Sequence, residues 1–195
     1  MDMIKIDAKG HKLREDAAAS YRRMQIAGMP TDGIVVGLRT MAEQQRLYDL
    51  YKAGKGNLAA KPSPTAPHIT GRAMDVQRGS KQHTWLTKGG IRLTTKLNEK
   101  IRANRFGFKR TVPSEAWHFF YTAANDKYRA GLPVLSFGSR DIFVTPLQRA
   151  LGIAKPTGFF GPVTRSKLRA AQKKAGLPVT GKTDLKTWAA LGIKA

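Results

Sequence analysis

The chain contains no cysteine. That excludes disulfide staples, thiolate metal sites and cysteine nucleophiles, so any transition metal must be held by His, Asp or Glu. Acidic residues are scarce as well: 13 Asp+Glu stand against 35 Lys+Arg in 195 residues, a formal net charge of +22. No stretch approaches the ~18 consecutive apolar residues of a membrane span, and the start Met1-Asp-Met-Ile-Lys-Ile-Asp7 lacks the basic and apolar regions of a secretory signal. A soluble protein made in a cytoplasm is expected. The mixed composition and the lack of an evident repeat exclude collagen, coiled-coil and wholly disordered chains. What the chain has in excess is positive charge, with a pI near 10.7. Such a surface attracts polyanions, whether nucleic acid, anionic lipid or an anionic envelope polymer, and charge alone does not choose among them.

Basic residues outnumber acidic ones 24 to 11 up to Pro133 and 11 to 2 beyond it, so the charge belongs to the whole molecule. Residues 131–139, rich in Gly and Pro, separate two differently patterned regions, which predicts domains over 1–130 and 140–195 joined by that linker. In the first, Leu13, Ala17, Tyr21 and Met24 recur at helical spacing ahead of Gly28, predicting a helix over about 12–27. Residues 33–39 read as a short buried strand. Thr40-Met-Ala-Glu43 has the form of a capping box, opening a helix that carries Leu47 and Tyr51 and ends near Gly54. Residues 54–67 read as loop. Arg72–Val76 reads as a strand on which Ala73 and Asp75 share a face, Leu93, Leu97 and Ile101 as a helix, and Trp117–Tyr121 as a further strand. Without a strand-helix-strand rhythm, this predicts an α+β domain with a small antiparallel sheet. The last region predicts three short helices: one capped by Thr145 or starting earlier at Val144, one opening at Gly161-Pro162 with Leu168 and Ala171 inward, and one capped by Thr183 and carrying Trp188 and Leu191.

Four histidines are present, at 11, 68, 83 and 118. His68 precedes Asp75 by seven residues and His118 follows Glu115 by three. A catalytic zinc takes three protein ligands from His and carboxylate and leaves a position open. His68, Asp75 and His118 offer such a set if Asp75 and His118 lie on one sheet face while Met74, Val76, Trp117 and Phe119 lie on the other. Glu115 would then stand beside the open position as a proton carrier. The spacings are also compatible with ordinary surface and core residues. His11, between lysines, reads as solvated, and the loop leading into His68 reads as a lid or as plain surface variation.

Pro67-His-Ile-Thr-Gly-Arg-Ala-Met-Asp75 resembles the His-x-x-Gly-x-Ala-x-Asp signature of the LAS zinc peptidases, and Glu115-Ala-Trp-His118 resembles their Glu-x-Trp-His element. Gly37-Leu-Arg-Thr40 with Gln44 is similar to the opening element of the D-Ala-D-Ala carboxypeptidase (VanY-like) branch, which includes many phage endolysins. The resemblance spans about residues 12–122. It implies one zinc ion on His68, Asp75 and His118, Glu115 as general acid/base, and Arg39 as a stabiliser of an oxyanion or substrate carboxylate. Gln44, His83, Trp85 and Trp117 are candidates for lining a substrate groove. The chain departs from the pattern at Ala66, where a serine is usual, and at Phe119-Phe120, where an acidic residue often follows the last histidine. Residues 135–193 resemble the three-helix peptidoglycan-binding module through Leu147-Gln148-x-x-Leu151, Gly158–Thr164, Gln172–Gly181 and Thr187-Trp188-x-x-Leu191, with Phe159, Phe160 and Trp188 as candidate wall contacts.

The resemblances imply a monomeric hydrolase of an amide bond in the stem or crosslink of bacterial peptidoglycan, with anionic wall polymers as possible further partners and no specific nucleic acid. A phage endolysin released through holin-made holes fits the missing signal. The rivals are a D-alanyl-D-alanine carboxypeptidase that only trims stems, a basic nucleic-acid-binding protein, and a wall-binding protein without catalysis.

Overall fold

The computed structural model describes residues 2–89, 101–112 and 114–195. Leu93 and Leu97 of the expected helix lie outside these residues, and Ile101 immediately precedes a 3-10 turn at Arg102–Arg105. Two compact units are formed, one by residues 1–21 and 30–127, the other by residues 22–29 and 128–195.

In the first unit, β1 (Met3–Lys5) and β2 (Lys12–Arg14) make an antiparallel hairpin in which Ile4 faces Leu13. Leu13 is therefore a strand residue, and α1 (Glu15–Ile26), whose residues from Arg22 on are counted with the second unit, starts later than its apolar spacing predicted. The spacing misleads because Leu13 and Ala17 bury together although the backbone changes from pleat to helix between them. His11 is not merely solvated: it is half-buried, with Nδ1 2.6 Å from Asp7 Oδ2.

The second sheet has the order β3-β4-β6-β5, antiparallel throughout, with β3 at Ile34–Val36, β4 at Ala73–Val76, β5 at Phe106–Lys109 and β6 at His118–Asp126. The α+β class holds, with α1, α2 (Met41–Lys52) and α3 (Lys81–Thr87) flanking the strands. β3 is an edge strand and is not buried throughout, since Val35 is 55% exposed. Met74 pairs with Phe119, and both are fully buried with Val76, Phe106, Phe108, Tyr121 and Leu86. The capping box of α2 forms as expected: Glu43 N–H donates to the Thr40 hydroxyl, and the Glu43 carboxylate accepts from Thr40 N–H at 2.7 Å.

The second unit contains α4 (Val144–Ala150), α5 (Pro162–Lys174) and α6 (Leu185–Ala190). Thr145 is not the cap of α4, which begins one residue earlier with Val144 buried. Asp184, not Thr183, caps α6 through Thr187 N–H at 2.7 Å. Thr183 is buried and has a different task, accepting from Leu135 N–H at 2.6 Å and donating to Pro133 O at 3.0 Å. The residues read as a linker are thus built into this unit, with Leu132 and Leu135 buried and Trp188 Nε1–H donating to Pro133 O at 2.9 Å. Ala171 is only partly buried, and the inward side of α5 is Thr164, Leu168 and Gln172.

This unit also carries a repeat that the sequence reading missed. Gln148 Oε1 accepts from Thr157 N–H and Gly158 N–H, and its Nε2 donates to Thr157 Oγ1, Phe159 O and Thr164 Oγ1 at 2.9–3.2 Å. Gln172 makes four of the five equivalent bonds one helix later: Oε1 accepts from Gly181 N–H, and Nε2 donates to Thr180 Oγ1, Lys182 O and Thr187 Oγ1 at 2.8–3.3 Å, while Thr180 N–H turns to Pro178 O instead. Gly158 and Gly181 both sit in the left-handed region, at φ 71° and 66°. Two Thr-Gly turns, Thr157-Gly158 and Thr180-Gly181, each leading into a helix, are therefore held in nearly the same way by a glutamine of the helix before. With only these few residues in common, the repeat is visible through its hydrogen bonds rather than its sequence.

Candidate active site

The register of β4 against β6 sets Asp75 directly opposite His118, so the two side chains leave the sheet on one face while Met74 and Phe119 fill the core on the other. His68 arrives from the turn before β4. Its Nδ1 lies 2.8 Å from Gly37 O, and a carbonyl can only accept, so Nδ1 carries a proton and Nε2 is the nitrogen turned to the site. His68 Nε2 lies 3.2 Å from His118 Nδ1 and 3.3 Å from Asp75 Oδ1, while His118 Nδ1 is 3.0 Å from the same oxygen. Both histidines are buried. Gly37 makes this possible by its size: a Cβ there would lie 2.5 Å from Lys12 O, so a larger residue would push the β3 end and its carbonyl out of place.

Three donor atoms facing one point suit a cation. Ligands at the ~2.0–2.2 Å typical of zinc bound by His and carboxylate are separated by about 3.3–3.6 Å along a tetrahedral edge. The observed separations are within a few tenths of an ångström of that, so the residues fit a divalent metal without rearrangement. Among the described residues this is the cluster of His and carboxylate side chains that could hold one. Burial pushes the Asp75 carboxyl up, but hydrogen bonds and positive charge from His118 and His68 more than reverse this and hold it well below the usual carboxylate range. The carboxylate is charged at any working pH.

The cluster lies in a cleft of about 680 Å³ that Arg39, Gln44, Glu115 and Trp117 also line. Glu115 is placed by a turn, Glu115 N–H donating to Val112 O and His118 N–H donating to Glu115 O, both at 3.1 Å. Arg39 Nη1 donates to Gln44 Oε1 at 2.6 Å, and Nη2 stands 4.0 Å from Asp75 Oδ2. Buried Gln44 in turn donates to Ala60 O at 2.8 Å, tying α2 to the 54–67 loop, whose residues form one wall of the cleft. Ala66 lines the cleft too, where it offers a methyl in place of a hydroxyl.

Other expectations fall elsewhere. Trp117 does not face the core with Met74: β6 begins at His118, so strand alternation does not govern the residue before it, and its side chain is half-buried in the cleft wall. His83 and Trp85 are not among the described residues lining the cleft. They belong to α3, where His83 Nε2 is 3.0 Å from Ala116 O and the Trp85 ring lies against Phe106 with the Arg102 guanidinium 4.6 Å above it. Phe160 and Trp188 are 0% and 1% exposed, which removes both as wall contacts and makes them core. Phe159 remains partly exposed. Sequence reasoning missed the task of the Gly37 carbonyl, although its signal was present in the Gly-Leu-Arg-Thr element, and missed Val112, which positions Glu115.

Residues 145–191 match the PG_binding_1 family of peptidoglycan-binding domains. The second unit carries a peptidoglycan-binding domain. Comparison with curated proteins returns no match. Among solved structures, the chain is similar to a mutant of the vancomycin-resistance D,D-pentapeptidase VanY from a VanB-type cassette in complex with Zn(II), at 19% identity over 67% of this chain and 82% of that one, TM-score 0.45. It is also similar to VanYB in complex with D-alanine-D-alanine, at 20% identity over 62% of this chain and 77% of that one, TM-score 0.44. Likeness at that level does not carry chemistry from one chain to another. No helix among the described residues is long and apolar enough to cross a membrane.

Proposed function

We propose that this protein is a metal-dependent peptidase that hydrolyses an amide bond in the peptide part of bacterial peptidoglycan. The observation that carries the reading is the convergence of His68 Nε2, His118 Nδ1 and Asp75 Oδ1 on one point of a cleft. The chain also holds a peptidoglycan-binding domain at residues 145–191, which supplies the substrate. A zinc ion held by the three would supply a Lewis acid, acidifying water and polarising a carbonyl.

The chain's own residues perform the rest. Gly37 O holds the His68 ring in the tautomer that leaves Nε2 free. Glu115, in the cleft wall, accepts a proton from the attacking water and returns it to the departing amine nitrogen. Arg39, steadied by Gln44, keeps a permanent charge beside Asp75 and offers its remaining N–H groups to a substrate carboxylate or a developing oxyanion. Trp117 and the 54–67 loop enclose the substrate and exclude water. The +22 charge lengthens residence on an anionic envelope. A lytic role of the endolysin type is the biological setting this pairing of cleft and wall domain suits.

The test is digestion of purified cell walls by wild type, chelator-treated and Glu115→Gln protein, followed by mass analysis of the fragments. Loss of crosslinks with wild type alone is expected. Release of free D-alanine with crosslinks intact would make the enzyme a D-alanyl-D-alanine carboxypeptidase, and equal wall clearance by all three proteins would overturn the peptidase reading.

A further inference from the structure

The repeat in the second unit provides an internal control on what its turns require. Phe159 and Lys182 occupy equivalent places: each backbone carbonyl accepts from the buried glutamine, and each N–H donates to the preceding threonine hydroxyl at 3.2 Å. The same turn is therefore built with a ring in one copy and an exposed lysine in the other. The turn does not require the aromatic group of Phe159.

That ring is nevertheless kept near the surface and in company. Gly138 N–H donates to Phe160 O and Phe160 N–H donates to Ser139 O, both at 2.9 Å, and this pairing brings residue 137 alongside residue 159. The Phe137 ring lies 6.5 Å from that of Phe159, edge to face, and the Arg140 guanidinium stacks 4.4 Å over Phe159. Phe137 is 54% exposed, Arg140 is exposed, and Phe159 is partly exposed. Two rings and a cation thus form a small surface patch on a unit with few acids, while the other large aromatics of this unit, Tyr128, Phe143, Phe160 and Trp188, are core.

The chemistry of the patch selects an occupant. An aromatic face carries partial negative charge, which attracts the weakly positive C–H groups that line one side of a pyranose ring. Arg140 is stacked and makes no ion pair among the described residues, so its N–H groups can donate to the hydroxyl and amide oxygens that such sugars carry. We infer that Phe137, Phe159 and Arg140 bind the glycan strand of peptidoglycan, the rings against the sugars and the guanidinium on their hydroxyl and acetamido oxygens. This rests on the wall-binding reading above and assigns residues and a polymer part to it.

The test measures binding of the full-length protein to insoluble peptidoglycan by co-sedimentation, with Phe159→Lys, Phe137→Ser and Arg140→Ala, alongside thermal melting. Phe159→Lys copies the second turn and should melt like wild type. Phe137→Ser empties no core and serves in its place if Phe159→Lys melts early. Dissociation constants at least about tenfold weaker for both ring variants are expected, with competition by peptide-free glycan strands and none by glycan-free stem peptides. Wild-type binding by both ring variants would overturn the patch while leaving the wall reading intact. Competition by stem peptides alone would overturn the glycan assignment. Failure of wild type itself to sediment with walls would instead overturn the wall-binding reading.

Discussion

Adding zinc to metal-free protein should raise the melting temperature of the first unit by roughly 10 °C, and removing one ligand should abolish the rise. The magnitude follows from linkage. A ligand that binds only the folded state stabilises it by about 2.7 kcal/mol at a hundredfold excess over its dissociation constant. For a unit of this size each kcal/mol shifts the midpoint by about 3–5 °C. Binding should be confined to the native state because His118, 43 residues beyond Asp75, is brought to His68 and Asp75 only by the pairing of two strands. Calorimetry with and without zinc, on wild type and His118→Ala, measures the effect without reference to catalysis. Identical shifts in both proteins, or no shift in wild type, would refute the proposed coordination. Glu115→Gln should keep the full shift, since that carboxyl is assigned to proton transfer and not to ligation.

Three further outcomes are expected. Gln148→Leu and Gln172→Leu each strip partners from buried or part-buried backbone N–H and threonine hydroxyl groups and should each cost about 3 kcal/mol in urea titrations of the second unit; a near-neutral result for either would contradict the equivalence of the two turns. Thr40→Ala breaks the capping box of α2 and should lower stability by about 1 kcal/mol by thermal melting, with a larger effect on wall hydrolysis than on the fold, because α2 carries Gln44 and so steadies Arg39. Burial raises the Asp16 carboxyl, but the Arg14 guanidinium and Ala17 N–H more than offset this and hold it below its ordinary value of 3.8. A carboxyl depressed on folding stabilises the native state above its unfolded pKa, and that contribution fades as the pH falls below about 4. Asp16→Asn should therefore reduce stability at pH 7 and flatten its decline in acid, as followed by circular dichroism.

Local chemistry written in consecutive residues was legible in the sequence. The Thr40 capping box, the Gly161-Pro162 helix start and the β4 alternation of Ala73 and Asp75 depend on neighbours within a few positions, so they appear as expected. The site residues were singled out because a chain with four histidines and thirteen acids rarely sets them so close together. Where the reading went astray, a distant partner decided. Leu13 satisfies the helical period of α1 and yet pairs with Ile4, and Thr183 has the right chemistry for a cap but is taken up by Pro133 and Leu135. Trp188 and Phe160 have the residue types of a binding face and are enclosed instead.

The sequence by itself determined the charge, the class of the fold and the donor atoms available to a metal, because each follows from composition or from spacing along one element. Only the tertiary structure decided that Asp75 stands across the ladder from His118, that the carbonyl of Gly37 orients His68, and that Phe137 joins Phe159 at the surface. These relations join residues tens of positions apart. Strand register and core packing determine such distances, and both are properties of the whole folded unit, which no window of sequence contains.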